Sequence, residues 1–205
     1  VILDKTGTIT EGKPVVTNLS WQVAEDTVPE LKKILYALES KSEHPLAEAV
    51  VNELKKESVG IVDASAFESL TGRGVRATVN NNVYFIGNKK LLSEYRISLS
   101  TEAEQMTTTW QAEAKTVVFF ANIHRVLAII AIADKIKATS KAAIALLQHK
   151  GIEVYMLTGD NEHTAKAVAA QLDLKYYQAE VMPNGKAEFV KTLQQQGKIV
   201  AMVGD

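Results

Sequence analysis

The chain has 205 residues, enough for one or two domains with hydrophobic cores, and its 23 lysines and arginines nearly balance its 24 aspartates and glutamates. The formal net charge of −1 provides no excess of positive charge for a nucleic-acid surface or an anionic membrane. The absence of cysteine excludes disulfides, thiolate zinc sites and thiol catalysis within this chain, and it suits a reducing cytosol.

The first element is a short apolar run, VIL, which predicts a buried strand that delivers Asp4 to its carboxyl end. A glycine-containing turn and a polar loop over 10–14 follow this strand. Apolar residues at helical spacing then predict two helices, over 28–37 and 45–56, each with a proline in its first turn.

The middle of the chain has the pattern of an antiparallel sheet. Apolar runs alternate with the segments 80–82 and 122–124, which are typical of hairpin turns. The longest run, Val126–Ala133, has eight residues, whereas about 20 are needed to cross a bilayer. We interpret this region as α+β, with strands predicted at Gly74–Val79, 83–86, 116–120 and 125–133.

Strands and helices alternate after Asp134. This alternation predicts right-handed βαβ units and a parallel, doubly wound α/β sheet. The predicted helices are 140–150, Glu162–Gln171 and 183–196, and the predicted strands are 152–157, 175–178 and 199–203.

Three carboxylates, Asp4, Asp160 and Asp205, each follow an apolar strand. Because ligands bind at the carboxyl ends of parallel strands, we expect the three to converge on one sheet edge. The sheet then takes its first strand from the start of the chain and the others from beyond Asp134. We therefore predict a domain split between residues 1–17 and 132–205, with an inserted domain over 18–131.

Carboxylates at a sheet edge, beside a lysine and loop hydroxyl groups, suit phosphoryl transfer with a magnesium ion. Magnesium prefers oxygen ligands, lysine neutralises phosphoryl oxygens, and an ionised aspartate can attack phosphorus. A single aspartate at a strand end is more often structural. Three of them with such neighbours favour a functional site.

The motifs DKTGT at 4–8, MLTGDN at 156–161 and VGD at 203–205 together resemble the P-type ATPases of the haloacid dehalogenase-like superfamily. The resemblance implies that Asp4 forms an aspartyl phosphate. It also implies that Thr6 offers its carbonyl to magnesium and its hydroxyl to phosphate, and that Asp205 is the first acid of a magnesium-binding GDGxND motif. The loop that helps to hold phosphate and ATP would contain Thr158, Gly159 and Asp160.

Two further segments match the family, and for each of them a structural interpretation is an open alternative. Lys186, in MPNGKAEFV, matches a lysine that contacts the phosphoryl group, and the alternative is an exposed helix lysine. Asp134 and Lys135 match a hinge and nucleotide-contact element, and the alternative is an aspartate that caps a helix.

Thr6 distinguishes two mechanisms within the superfamily. Phosphatases of this superfamily usually carry a second aspartate two positions after the nucleophile, and this aspartate acts as a general acid and base. A threonine hydroxyl performs this role poorly. We therefore expect a phosphoenzyme that persists and drives a conformational cycle.

SEHPL at 42–46, TGRGV at 71–75 and IGN at 86–88 resemble the nucleotide-binding domain of heavy-metal-transporting P-type ATPases. The resemblance implies that His44 packs on or orients adenine and that Glu39 lies near its amino group. A single histidine is weak evidence by itself, and so is a GxG pair. The remaining implied nucleotide contacts are Gly72, Gly74, Gly87 and Asn88.

The resemblance extends over the whole chain and implies ATP and Mg²⁺ as ligands. It implies the cytoplasmic part of an integral membrane protein that transports a heavy-metal cation, with copper favoured. The partners would be the actuator and transmembrane domains of the same polypeptide. Since the chain begins and ends at apolar strands, we expect it to be a piece of something larger.

Two alternatives stay open. One is a soluble haloacid dehalogenase-like phosphatase with a large cap domain, against which Thr6 argues. The other is a nucleotide-binding module with vestigial catalytic residues. Steady hydrolysis of small phosphate esters would favour the first, and ATP binding without phosphorylation would favour the second.

Overall fold

A computed structural model describes residues 1–57 and 59–204 of the chain. The strands are β1 (Ile2–Asp4), β2 (Val15–Trp21), β3 (Ser65–Leu70), β4 (Gly74–Val79), β5 (Asn82–Gly87), β6 (Thr116–Asn122), β7 (Val126–Ala133), β8 (Tyr155–Leu157), β9 (Tyr176–Gln178) and β10 (Met202–Val203). The helices are α1 (Val28–Glu39), α2 (Pro45–Lys55), α3 (Lys89–Glu94), α4 (Thr101–Ala112), α5 (Ser140–His149), α6 (Glu162–Gln171) and α7 (Pro183–Gln195).

The chain forms two compact units. The split unit contains residues 1–13, 111–116 and 134–205, and the inserted unit contains residues 14–110 and 117–133. Residues 111–116 group with the split unit, although the chain on both sides of them belongs to the inserted unit. The assignment of a separate function to each domain stays a prediction.

The split unit is built on a parallel sheet with strand order β10-β1-β8-β9. Apolar residues of α5 and α6 pack on one face with Met156, whereas Leu193 of α7 packs on the other face with Ile2 and Leu157. Because helices cover both faces, the predicted doubly wound sheet is confirmed. The strand order reverses between β1 and β10, and open α/β sheets bind ligands at such a reversal.

The inserted unit contains a six-stranded sheet with order β2-β7-β6-β5-β4-β3. Helices α1 and α2 pack on the face that presents Val75 and Ile86, and α3 and α4 pack on the face that presents Phe85 and Phe119. Since both faces are buried, β6 and β7 are nearly continuous apolar runs without the alternation of a half-exposed strand. The predicted antiparallel α+β insertion is confirmed.

The turn between β4 and β5 is the one that the asparagines predict. Val79 pairs with Asn82, so Asn80 and Asn81 form a two-residue turn. Their φ angles are 47° and 61°, in the left-handed region that asparagine tolerates better than most residues.

The prediction missed β2, β3, α3 and α4, and it made two strands three residues too long. The predicted strands 152–157 and 199–203 shorten to β8 and β10, and the excluded residues include Ile152 and Ile199, which are exposed. Apolar character alone extended these two predictions beyond the paired backbone. Within the described residues, no helix has the length and apolar character to cross a membrane.

Candidate functional site

Asp4 lies at the carboxyl end of β1, beside the reversal in strand order. Its side chain is 12% exposed and accepts a hydrogen bond from the ammonium group of Lys186 at Oδ2. The backbone N–H of Lys5 donates to Oδ1 of Asp4 at 2.9 Å. Both carboxylate oxygens of the predicted nucleophile are therefore held by donors.

Gly204 lies against Asp4 directly after β10. A Cβ atom at this position would lie 3.0 Å from Cβ of Asp4 and 3.6 Å from its Oδ2. Since the first distance is shorter than ordinary van der Waals contact, a side chain here would crowd the carboxylate. The glycine therefore keeps space open beside Asp4.

The loop after Asp4 is one wide turn that Thr10 closes. The N–H of Thr10 donates to the carbonyl of Lys5 at 3.0 Å, and the Thr10 hydroxyl oxygen lies at the same distance from that carbonyl oxygen. Gly7 has a φ angle of 76°, a conformation that favours glycine. The turn leaves Thr6 exposed at the sheet edge.

The segment after β7 holds this turn from the side. Lys137 Nζ donates to the carbonyl of Gly7 at 2.5 Å, and the hydroxyl of Ser140 donates to the carbonyl of Ile9 at 2.7 Å. Asp134 accepts from the Thr10 hydroxyl at 2.6 Å. Asp134 thus braces the loop after Asp4, and it does not cap α5, which begins six residues later.

Asp160 lies in the loop between β8 and α6 and is held by two side chains. Its Oδ2 pairs with the ammonium group of Lys5, and its Oδ1 accepts from the hydroxyl of Thr116 at 2.9 Å. The Asp160 and Lys5 side chains are only 12% and 9% exposed. The hydroxyl of the buried Thr158 accepts from the Asp160 N–H at 3.1 Å, which adds a bond within the loop.

The sheet edge gathers most of the predicted phosphoryl-transfer residues. Asp4 and Lys186 are in direct contact, and Asp160 is joined to Lys5, the neighbour of Asp4. Gly159 is exposed in the Asp160 loop. Asp205 lies outside the described residues, so the expected convergence of three carboxylates stays a prediction, as do the roles of these residues.

Sequence reasoning missed Lys5, Lys137 and Thr116 as members of this edge. Lys5 stands inside the motif DKTGT, and its position directly after Asp4 was the available signal. Thr116 is 44 positions from Asp160, at the start of a strand predicted in the inserted domain. No local pattern connects them.

The glycine motifs of the inserted unit meet at the pairing of β4 and β5. Gly74 pairs with Gly87, and an added Cβ would lie 2.0 Å from the Ile86 carbonyl oxygen at Gly74 and 2.1 Å from the Arg73 carbonyl oxygen at Gly87. Both glycines are therefore required for close backbone approach. The nucleotide contacts predicted for these two glycines stay predictions.

Asn88 joins the two motifs. Its Nδ2 donates to the carbonyl of Gly72 at 2.9 Å, and its Oδ1 accepts from the N–H of Leu91 at 3.2 Å as the N-cap of α3. One side chain thus fixes both the glycine loop and the start of a helix.

Glu39 and His44 lie at the end of α1 and directly before α2. Glu39 is 5% exposed, and burial raises its pKa to about 8. Its protonated form therefore predominates at neutral pH, and this form can both donate and accept a hydrogen bond. His44 Nδ1 accepts from the Leu46 N–H at 3.2 Å, and the residue is exposed.

The oxygen donors at the sheet edge fit a magnesium ion that arrives with a phosphate group. No group of three or more His, Cys, Asp or Glu side chains in the described residues is arranged to hold a metal. Magnesium needs no such group, because one or two carboxylates suffice when substrate phosphates and waters complete its coordination. Asp4 and the Thr6 carbonyl are oxygen donors of the required type.

Comparisons with known proteins are consistent over the whole chain. The model of the haloacid dehalogenase-like hydrolase family matches residues 1–205. Copper-exporting P-type ATPases of Staphylococcus epidermidis and Staphylococcus aureus are 40% and 42% identical over 205 residues. These matches cover 100% of this chain and 25% of each relative, so the chain spans about a quarter of their length.

Two solved structures are also similar to the whole chain. The catalytic domain of the CPx-ATPase CopB-B has a TM-score of 0.75 at 23% identity, which shows a common fold, over 100% of this chain and 69% of that one. A zinc-transporting PIB-type ATPase has a TM-score of 0.59 at 33% identity, over 100% of this chain and 32% of that one.

Proposed function

Because this chain belongs to the haloacid dehalogenase-like hydrolases, we propose that it is the ATP-binding and autophosphorylating part of a P-type ATPase, with Asp4 as the nucleophile. The observation that carries the proposal is the ion pair between Asp4 and Lys186, which are 182 positions apart. It places a partly buried carboxylate and a cation at the strand reversal, where sheets of this kind bind ligands.

In the proposed reaction, a carboxylate oxygen of Asp4 forms a bond to the γ-phosphorus of ATP. The bond from this phosphorus to the bridging oxygen breaks, and ADP leaves with the electron pair. The product on the protein is an aspartyl phosphate. The hydrogen bonds from Lys5 and Lys186 fix the plane of the carboxylate before the reaction, which lowers the entropy cost of reaching the transition state.

Lys186 is suited to follow the negative charge. It neutralises the carboxylate in the free protein, and its flexible chain allows the ammonium group to bind phosphoryl oxygens as charge moves onto them. Magnesium, held by Asp4, the Thr6 carbonyl and Asp205, would supply further positive charge at these oxygens.

Thr6 supports a long-lived phosphoenzyme. No carboxylate stands two positions after the nucleophile to activate a water molecule for hydrolysis. A persistent aspartyl phosphate suits a protein in which phosphorylation drives a conformational change. This residue therefore favours the ATPase over the soluble phosphatase.

The inserted unit is the proposed site of ATP binding. Its candidate contacts are the protonated Glu39, the exposed ring of His44 and the loop that Asn88 fixes. A protonated carboxyl group can pair with the amino group and a ring nitrogen of adenine at the same time. Replacement of His44 by alanine should weaken ATP binding.

We propose copper as the transported ion. The support is the identity of 40–42% to relatives named as copper exporters, against 33% to a zinc-transporting ATPase. In this proposal the chain is the cytoplasmic part of a membrane protein. Ion selection would then depend on transmembrane segments of the same polypeptide, and dephosphorylation on its actuator domain.

The test uses the full polypeptide that contains this chain. After incubation with ATP labelled in its γ-phosphate and an acid quench, we expect label on the protein that hydroxylamine removes, as an acyl phosphate requires. An Asp4→Asn variant should carry no label. The matched control is Asp63→Asn, an exposed aspartate of the inserted unit, which should carry label as the wild type does.

Two results would overturn the proposal. One is an Asp4→Asn variant that still forms the hydroxylamine-sensitive product. The other is a wild-type protein that forms none and instead hydrolyses small phosphate esters steadily, which would favour the phosphatase.

A further inference from the structure

Thr116 is the one side chain outside the two terminal segments of the split unit that the described residues place on the carboxylate of Asp160. Its hydroxyl donates to Asp160 Oδ1 at 2.9 Å. It belongs to the short segment 111–116, which groups with the split unit between two stretches of the inserted unit. The phosphoryl-transfer site therefore includes a residue from a third part of the chain.

The neighbouring residue makes a second contact to the same region. The carbonyl of Lys115 accepts from the hydroxyl of Thr164 at 2.9 Å, and Thr164 is fully buried in the first turn of α6. The N–H of Thr164 donates to Asn161, the N-cap of this helix. Segment 111–116 thus bonds to both the Asp160 loop and the helix that follows it.

The two oxygens of the Asp160 carboxylate have different partners. Thr116 holds Oδ1, and the ammonium group of Lys5 pairs with Oδ2. With both oxygens bonded, the carboxylate has one orientation, and the Lys5 side chain, 9% exposed, is held with it. Lys5 in turn donates its N–H to Asp4.

We propose that Thr116 is a positioning residue for phosphoryl transfer, which fixes Asp160 and through it Lys5 beside the nucleophile. The inference rests on the proposed function. Without the hydroxyl, Oδ1 of Asp160 loses its donor in a nearly buried position, and the carboxylate rotates to find another. Lys5 then no longer holds one position at the moment of transfer.

The experiment compares Thr116→Val, which has the same shape without the hydroxyl, with Thr116→Ser, which keeps the hydroxyl. The rate of phosphoenzyme formation at saturating ATP is measured on the full polypeptide and divided by the concentration of ATP-binding sites, so unfolded protein does not count. The control is Thr109→Val, an exposed threonine of α4 whose hydroxyl bonds within its own helix.

We expect Thr116→Val to slow phosphorylation about ten- to hundredfold, the range seen when an outer hydrogen-bond partner of a functional group is lost. Thr116→Ser should stay within about threefold of the wild type, since it retains the donor. The dissociation constant for ATP should be the same in all variants. In an Asp160→Ala background, Thr116→Val should add less than about a twofold loss, because the two residues act through one contact.

A wild-type rate in Thr116→Val would overturn the inference, and so would a Thr116→Ser variant as slow as the valine variant. An undiminished effect of Thr116→Val in the Asp160→Ala background would also overturn it. If the wild type forms label and only these comparisons fail, the proposed function stands. If the wild type forms no label, the proposed function fails and this inference fails with it.

Discussion

Asp4 and Lys186 come from opposite ends of the chain, yet their side chains are in contact at the edge of the parallel sheet. Removal of either leaves a partly buried charge without its partner, which is unfavourable in both the free protein and the transition state. The pair therefore connects folding of the split unit to its proposed chemistry.

Replacement of Lys186 by alanine should lower the rate of phosphoenzyme formation about 10²- to 10³-fold, the usual loss when one donor to a developing negative charge is removed. Rapid-quench measurement with labelled ATP gives this rate. Lys191→Ala, at an exposed position of the same helix, should retain the wild-type rate. Equal rates in the two variants would exclude a role of Lys186 in the transfer.

The raised pKa of Glu39 should make the stability of the inserted unit depend on pH. Burial raises the pKa of this carboxyl group from 4.5 in the unfolded chain to about 8 in the folded one. Between these values the folded state keeps a proton that the unfolded state has lost. The free energy of unfolding should therefore fall as pH rises through this window, by up to about 1.4 kcal/mol per pH unit.

Urea unfolding of the chain at pH 5.5, 6.5 and 7.5 checks this dependence. A Glu39→Gln variant should lose the contribution of Glu39 to the slope, because glutamine does not titrate. Glu43→Gln, which changes an exposed glutamate, should keep the wild-type slope. A Glu39→Gln variant with an unchanged slope would show that this carboxyl group titrates normally.

At the scale of elements, the pairing of β4 and β5 depends on two facing glycines. Gly87→Ala places a Cβ 2.1 Å from a backbone oxygen of Arg73, so the strands must separate locally. We expect a loss of at least about 2 kcal/mol in the free energy of unfolding, as for other overpacked positions.

The matched control for this prediction is Gly60→Ala, where the nearest atom to the new Cβ is the flexible Lys33 side chain at 3.6 Å. This change should stay within about 0.5 kcal/mol of the wild type. Urea unfolding measures both variants. Equal stability of the two would mean that the approach at Gly87 relaxes without cost.

The predicted elements and the missed elements differ in how many side chains they bury and in whether the buried positions are regularly spaced. Helix α1 has buried residues at 31, 34, 35 and 38, a regular helical spacing that is visible in the sequence. Helix α4 buries only Ala103 and Thr107 and carries three consecutive threonines, so neither apolar periodicity nor propensity reveals it. Strand β3 is mostly exposed, and its pairing with β4 is what defines it.

The candidate site likewise contains residues that a sequence pattern reveals and residues that it does not. Asp4 and Asp160 could be predicted to share an edge, because each follows an apolar strand and parallel strands align their carboxyl ends. The hydrogen bonds from Lys137 to Gly7 and from Thr116 to Asp160 join residues that are 130 and 44 positions apart, and only the fold brings these residues together. Motifs thus point to the proposed reacting groups better than to the side chains that hold them.

At the scale of the whole molecule, the proposed reaction divides between two units. Asp4, the proposed nucleophile, belongs to the split unit with Lys186, whereas the candidate adenine contacts belong to the inserted unit. Such a division suits a protein in which ATP binding and phosphoryl transfer are separate steps of a conformational cycle.

Chemical identification of the phosphorylated residue shows whether ATP phosphorylates Asp4. The full polypeptide is phosphorylated with ATP and treated with borohydride, which reduces an aspartyl phosphate to homoserine, and its peptides are then analysed by mass spectrometry. We expect homoserine at position 4 and at no other aspartate. Homoserine at another position, or none in a protein that has incorporated γ-phosphate, would exclude Asp4 as the nucleophile.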